Sequence, residues 1–251
     1  MRRLLPAAAL LLIGAREPVL VPDVSQRTID IVTSFSGADL LLFGAILYPQ
    51  GRVPDERIDV AVVVKGPSQS ILVREKQKLA GLIWANAGSA RFRSAPSFYA
   101  VASSRPLKQI VDAKTAAIYE LGLGNLQLSP ATAALPEERL RFESGFVDLR
   151  RRGEYYTARP GSVEISQDVL YRARVTIPPR VPTGRYTAET FLIRDGKVVA
   201  AAERVIEVRK SGFERFVTVA AARQPLLYGL AAVILSIGLG WAAGAVFSRR
   251  A

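Results

Sequence analysis

Twenty-two consecutive residues, Leu226 to Phe247, carry no charged side chain. Wound into an α-helix at ~1.5 Å per residue they extend about 33 Å, enough to cross a hydrocarbon core of ~30 Å. A shorter apolar run at the other end, Leu4 to Ile13, follows Arg2-Arg3 and closes on Gly14-Ala15. That is the basic, apolar, small-residue order of a secretory signal. The two segments divide the chain into a signal peptide over 1–15, an exported region over 16–210, a juxtamembrane segment over 211–224, a transmembrane helix over 225–247 and a cytoplasmic tail over 248–251. The expected location is the inner membrane, single-pass, with the bulk of the chain on the periplasmic side. Arg209, Lys210, Arg215 and Arg223 before the helix outnumber Arg249 and Arg250 after it, which by charge alone favours the opposite orientation. Long domains translocate largely regardless of charge, so the signal decides the expectation.

The formal net charge of +12 falls to +8 once the four arginines of the two ends are set aside. A basic surface seeks anionic partners. Outside the cytoplasm these are lipid headgroups, acidic polymers or an acidic protein face, and nucleic acid is not expected. The sequence has no cysteine and no histidine, and Met1 is its one methionine. The exported region therefore relies on its core, as one domain or two, with no disulfide. After removal of the expected signal, imidazole, thiolate and thioether ligands are missing, as are Ser-His-Asp and Cys-His arrangements. No catalytic, cofactor or metal residue is assigned, and an enzyme ranks behind a binding or accessory role.

The first half reads as strands. Ile29, Ile31, Thr33 and Phe35 alternate with Thr28, Asp30 and Ser34, and Ile58, Val60, Val62 and Val64 alternate with Asp59, Ala61, Val63 and Lys65, the pattern of half-buried strands. Leu40 to Tyr48 is a continuous apolar run closed by Pro49-Gln50-Gly51, as in a central strand and turn. Shorter strands are expected at Ser70 to Arg74, Gly81 to Ala85 and Ser97 to Ala102. A helical insertion follows over about 106–152. Leu107, Ile110, Val111, Ile118 and Leu121 share one stripe of a helix from Pro106 to Leu121 that Gly122 would end. A second helix, Pro136 to Arg152, has acids in its first turn and arginines in its last, complementing the helix dipole. Strands resume at Val169 to Ile177, and Tyr186 to Arg194 and Lys197 to Val208 flank Asp195-Gly196, a two-residue hairpin signal. The fold class expected is mainly β: an immunoglobulin-like antiparallel sandwich with a helical insertion, plus one C-terminal transmembrane helix, though without the Cys-Trp-Cys core of antibody domains.

Trp84-Ala85-Asn86, the block Pro96-Ser97-Phe98-Tyr99-Ala100-Val101-Ala102-Ser103-Ser104-Arg105-Pro106-Leu107, Gly212-Phe213-Glu214 and Pro225-Leu226-Leu227-Tyr228-Gly229 resemble an alphaproteobacterial putative transmembrane protein family of about this length. The resemblance implies a signal, one C-terminal span and no established activity. It also implies gene neighbourhoods with sulfite-exporter-like membrane proteins, hence a transporter as partner.

Three features are candidates for interaction. Ala232, Ser236, Gly240 and Gly244 recur every four residues and form a small-residue face on which another helix can approach closely. Ser211 to Gln224 has Phe213, Phe216, Val217 and Ala220 on one side, as in an amphipathic collar at the membrane surface. Trp84, Phe98 and Tyr99 interleave with Arg91, Arg93 and Arg105, a mixture suited to an anion or to a partner's acidic and apolar side chains. The reading is a noncatalytic membrane-anchored accessory protein in contact with lipid and with a membrane partner; the alternative is a binding module for a small anion or an acidic envelope polymer. Arginines around a concave pocket favour the second, and a bare apolar patch rimmed by charge the first.

Overall fold

The structure, a computed structural model, describes residues 17–31, 36–49, 51, 56–79, 82–130, 135–211 and 213–248. The expected signal over 1–15, Thr33 and Phe35 of the first expected strand, and the expected tail over 248–251 apart from Ser248, which ends the last helix, lie outside them. In chain order the first strands are β1 (Val19–Val24), β2 (Thr28–Ile31), β3 (Ala38–Leu47), β4 (Asp59–Lys65), β5 (Ser68–Leu79), β6 (Ile83–Pro96) and β7 (Tyr99–Ser103). Helices α1 (Leu107–Ile110) and α2 (Ala113–Ile118), a 3-10 turn, strand β8 (Ser129–Pro130) and helix α3 (Pro136–Arg152) follow. The chain then forms β9 (Tyr156–Pro160), β10 (Val163–Ser166), β11 (Leu170–Ile177), β12 (Gly184–Arg194) and β13 (Lys197–Lys210), and closes with α4 (Phe213–Arg223) and α5 (Pro225–Ser248).

The fold is mainly β and has three layers. A four-stranded sheet in the order β1-β3-β11-β10 faces a six-stranded sheet in the order β2-β13-β12-β4-β7-β9. Strand β11 shows why the two sheets close on each other. Tyr171, Ala173, Val175 and Ile177 point inward and are buried, while Arg172, Arg174 and Thr176 remain outside. They meet Val60, Val62 and Val64 of β4 and Tyr186 of β12 in one core. The antiparallel expectation holds for most pairs, but two pairs are parallel: β2 with β13, and β7 with β9.

The third layer corrects the reading of β4 as a half-buried strand. Ala61 and Val63, taken as its outward face, are fully buried in a second core with Phe92, Phe146 and Tyr156. The β5–β6 hairpin, which precedes the expected insertion, and the helices within that insertion supply this cover. The uninterrupted run Val60 to Val64 is the composition a strand enclosed on both faces requires. The two short strands expected near 70–74 and 81–85 are parts of one long hairpin, β5 with β6, extended by backbone pairing through polar stretches that show no apolar period.

The helix expected from Pro106 to Leu121 is broken in two. Val111 is extended and bridges Gly196, the Asp112 amide donates to the Gly196 carbonyl over 3.0 Å, and the Asp112 carboxylate accepts from the Thr115 amide over 2.6 Å. A contact distant in sequence thus interrupts the apolar stripe, and Asp112 caps the second piece. Gly122, with φ of 102°, lies beyond the helix end at Ile118. Helix α3 spans the residues expected of it and buries Phe142 and Phe146. In the β12–β13 hairpin, Asp195 and Gly196 have φ of 49° and 78°, the paired left-handed geometry of a type I′ turn.

Residues 211–224 contain the helix α4, and α5 coincides with the expected span. Helix α5 has 24 residues and no charged side chain. From Leu226 to Trp241 every residue is exposed. Among the described residues no helix is long and apolar enough to cross a membrane. The side chains of α5 are described without interruption only as far as Trp241, while its helical backbone runs on to Ser248.

Candidate functional site

The aromatic and arginine set singled out in the sequence is dispersed. Phe98 and Tyr99 are both fully buried, but neighbours on an extended chain face opposite ways. Phe98 enters the core between the sheets, 6.1 Å from the Tyr186 ring, and Tyr99 enters the second core, 6.1 Å from the Tyr156 ring. Trp84 sits near the tip of the β5–β6 hairpin and is 62% exposed, with Lys78 Nζ 5.4 Å from its ring centre. Arg91 and Arg93 are exposed on β6, flanking the inward Phe92. Arg105 lies beyond the end of β7 and is bound to Asp59.

Two polar clusters hold elements together. Asp59, 5% exposed, accepts from Arg105 Nε at 2.9 Å and from the Ser104 hydroxyl at 2.7 Å, and also pairs with the second arm of Arg105. Burial opposes its charge, but Arg105 and Ser104 outweigh this and keep its carboxyl below the ordinary aspartate range. In the second cluster Lys65 Nζ lies 2.9 Å from Glu120 Oε2 and 3.1 Å from Glu189 Oε2. Burial works against the lysine charge, yet the two carboxylates hold its pKa above the usual value. The Tyr99 hydroxyl donates to the Glu120 carbonyl at 2.7 Å and accepts from the Gly122 amide at 2.9 Å. Burial pushes its pKa up. A charged, doubly paired lysine and a protonated, doubly bonded phenol are poor nucleophiles. Both clusters read as ties between β4, β7 and the insertion.

Between the β5–β6 hairpin and α3 lies a cavity of about 300 Å³ lined by Arg91, Arg139, Arg141, Glu75 and Glu138 among others. Its sign is mixed: Arg141 lies 3.1 Å from Glu75, and Arg139 lies 3.4 Å from Glu143. Neither Arg93 nor Arg105 lines it. The arginines therefore do not converge on an anion pocket.

The outer face of the four-stranded sheet is different in kind. Val19, Val21, Phe43, Leu47 and Leu170 are exposed there as neighbours, by the register Val19 to Leu47, Val21 to Ala45 and Ala45 to Leu170. A hollow of about 450 Å³ opens between Val21, Phe43, Ala45 and Leu170, with Asp23 and Arg172 at its margin. Arg172 pairs with Glu164 at the edge of the sheet. This is an apolar patch rimmed by charge, and the sequence reading missed it. The signal lay in Leu40 to Leu47, whose outward positions are as apolar as its inward ones.

Helix α5 presents the second bare surface. Ala232, Ser236 and Gly240 are exposed on it, and the Ser236 hydroxyl donates to the Ala232 carbonyl at 2.8 Å, turning its polar atom back onto the helix. A Cβ added at Gly240 would meet nothing within 4 Å. Gly244 belongs to the same helix, but its surroundings lie outside the description.

A family model described as "Putative transmembrane protein (Alph_Pro_TM)" matches residues 19–249. No curated protein and no solved structure matches the chain.

Proposed function

We propose that this chain, which belongs to the family described as "Putative transmembrane protein (Alph_Pro_TM)", is a noncatalytic accessory protein of the cell envelope, anchored in the inner membrane by α5 as a single span. Its sandwich lies on the periplasmic side after removal of a signal peptide, and it serves a membrane-protein partner; the sequence resemblance points to a sulfite-exporter-like transporter. One observation carries the reading: α5 runs 24 residues without a charge, and its described side chains stay exposed while the apolar interior of the sandwich is closed around two cores. An apolar surface of this extent is costly in water and is covered by lipid or protein. The patch on the four-stranded sheet supports a protein partner over a small anion, as does the mixed charge of the cavity beside α3.

An immunoglobulin-like kinship is part of the proposal. The orders β1-β3-β11-β10 and β13-β12-β4-β7-β9 correspond to strands A-B-E-D and G-F-C-C′-C″ of such a sandwich, with the insertion between C and C″. Tyr186, near the start of the F-equivalent strand, donates its hydroxyl to the Pro182 carbonyl at 2.8 Å, the geometry of a tyrosine corner. Two residues on, where the second cysteine of antibody domains stands, this chain has the buried Ala188. The likeness is one of architecture, and it names neither a function nor a ligand.

The test is topological and biochemical. Reporter fusions at Gly212 and Ala251 are expected to signal opposite compartments, and purification in mild detergent is expected to retain a membrane protein in constant proportion. The same compartment at both positions overturns the anchor, and isolation of the chain alone under cross-linking overturns the partner.

A further inference from the structure

The β5–β6 hairpin is held by the body at its root and bare at its tip. From Ile71 to Glu75 its residues alternate between half-buried and exposed, and Arg141 of α3 lies 3.1 Å from Glu75. The register shifts between Glu75 and Lys76. Past that irregularity Lys76, Gln77 and Lys78 are exposed on successive positions, with Gln77 still at the rim of the cavity beside α3. On the return strand Leu82, Ile83 and Trp84 are 85%, 71% and 62% exposed. Three consecutive large apolar side chains at a protruding tip contribute nothing to either core. From Lys76 to Ala87 there are two lysines and no acid.

The hairpin's root lies beside the point where the chain leaves the sandwich for α4 and α5. Gly184 pairs with Val208, near the end of β13, and a Cβ at Gly184 would stand 3.1 Å from Pro67, the residue before β5. The hairpin thus begins at the end of the sheet from which the proposed span departs.

We infer that this tip is a second membrane contact, in which Leu82, Ile83 and Trp84 enter the interface of an anionic bilayer while Lys76 and Lys78 engage its headgroups. The inference rests on the proposed anchoring by α5. Tryptophan concentrates at the membrane interface, where its ring has an apolar body and a polar N–H. Lys78 pairs with Trp84 across the hairpin, with its ammonium 5.4 Å from the ring, so the charge stands at the depth of the aromatic rather than apart from it. Lysine stems lie along apolar surface while their heads stay at the polar boundary, and each basic residue near an anionic surface adds attraction. A lysine-flanked apolar tip fits such a bilayer better than it fits an uncharged apolar protein face.

The chain has two tryptophans, Trp84 and Trp241. Full-length protein carrying Trp241→Phe therefore reports from Trp84 alone. In phosphatidylglycerol-containing proteoliposomes its emission is expected to move to shorter wavelength and to be quenched by lipids brominated on the acyl chain. In pure phosphatidylcholine, or with Lys76→Glu and Lys78→Glu added, both effects are expected to fall, with an unchanged circular dichroism spectrum. Alkaline extraction of the same vesicles separates the two readings: release of the protein overturns the span and the inference built on it. Retention with a water-exposed, unquenched Trp84 overturns the hairpin contact alone. Trp84 shielded from aqueous iodide but untouched by brominated lipid shows that protein covers the tip, and this too overturns the inference.

Discussion

Arg105 grips Asp59 with two nitrogens and so ties the end of β7 to the start of β4, with Nε of the arginine 2.9 Å from Oδ1 of the aspartate. The adjacent Ser104 closes the same junction, since its hydroxyl donates to Asp59 while its amide donates to the Val60 carbonyl at 2.9 Å. The pair stands where the insertion leaves the six-stranded sheet, so its loss is felt by the sandwich and by its cover.

Replacing Asp59 with asparagine is expected to lower stability at neutral pH by about 1–3 kcal/mol, the range for charged hydrogen bonds lost at a buried site. The folded-state pKa of Asp59 lies below its ordinary 3.8. Its contribution is therefore fully present above that value and is lost as pH falls through the lower folded value. Urea denaturation in mild detergent at pH 7 and near pH 3 should show a large difference between variant and parent at the first and a smaller one at the second. Equal urea midpoints at pH 7 would remove Asp59 from the account of what holds this junction.

Tyr186→Phe probes the corner at the start of β12. The ring stays in the core, but the bond to the Pro182 carbonyl is lost, for an expected cost of about 1 kcal/mol. Tyr155→Phe is the contrast, because the Tyr155 hydroxyl bonds the exposed Arg180 carbonyl at 3.2 Å and should matter less. A larger loss at Tyr155 than at Tyr186 in chemical denaturation contradicts the role given to the corner.

The parts of this fold legible in the sequence are those whose causes are local. Asp195-Gly196 declares its hairpin because few other pairs accept two positive φ values in a row, and α3 declares itself through proline and acids at one end and arginines at the other. The break at Asp112 was not legible, since its cause is Gly196, which the fold brings alongside. The second burial of β4 had a signal in the unbroken apolar run Val60 to Val64, but what covers Ala61 and Val63, the β5–β6 hairpin and α3, is brought there by the fold. The aromatic and arginine set is dispersed for a reason the sequence did contain: Phe98 and Tyr99 are adjacent on an extended chain and so cannot share a face. The patch around Phe43 was equally visible in principle, in an apolar run placed on a sheet whose outer side no described residue covers.

The patch on the four-stranded sheet can be tested without disturbing the core. Phe43→Lys and Leu170→Lys place charges at outward positions and are expected to change stability by no more than about 0.5 kcal/mol each. Cross-linking to a membrane partner through the sandwich should be lost. Partner capture that survives both charges moves the interface to α5 or to the hairpin.

Helix α5 poses the remaining question, whether the proposed anchor also binds another helix. Its Ala232, Ser236 and Gly240 face is bare, and Ser236 has turned its hydroxyl onto the Ala232 carbonyl, which leaves the stripe smooth. Small residues four apart allow backbones to approach closely in lipid, where packing rather than hydrophobicity drives association. Leucine at Gly240 and Gly244 keeps the segment apolar and uncharged, but fills the space at Gly240 that now lies open. Membrane retention after alkaline washing should be unchanged while association with a partner, or with a second copy, falls. If co-purification and cross-linking are the same with both leucines in place, the helix is an anchor alone and recognition belongs to the sandwich.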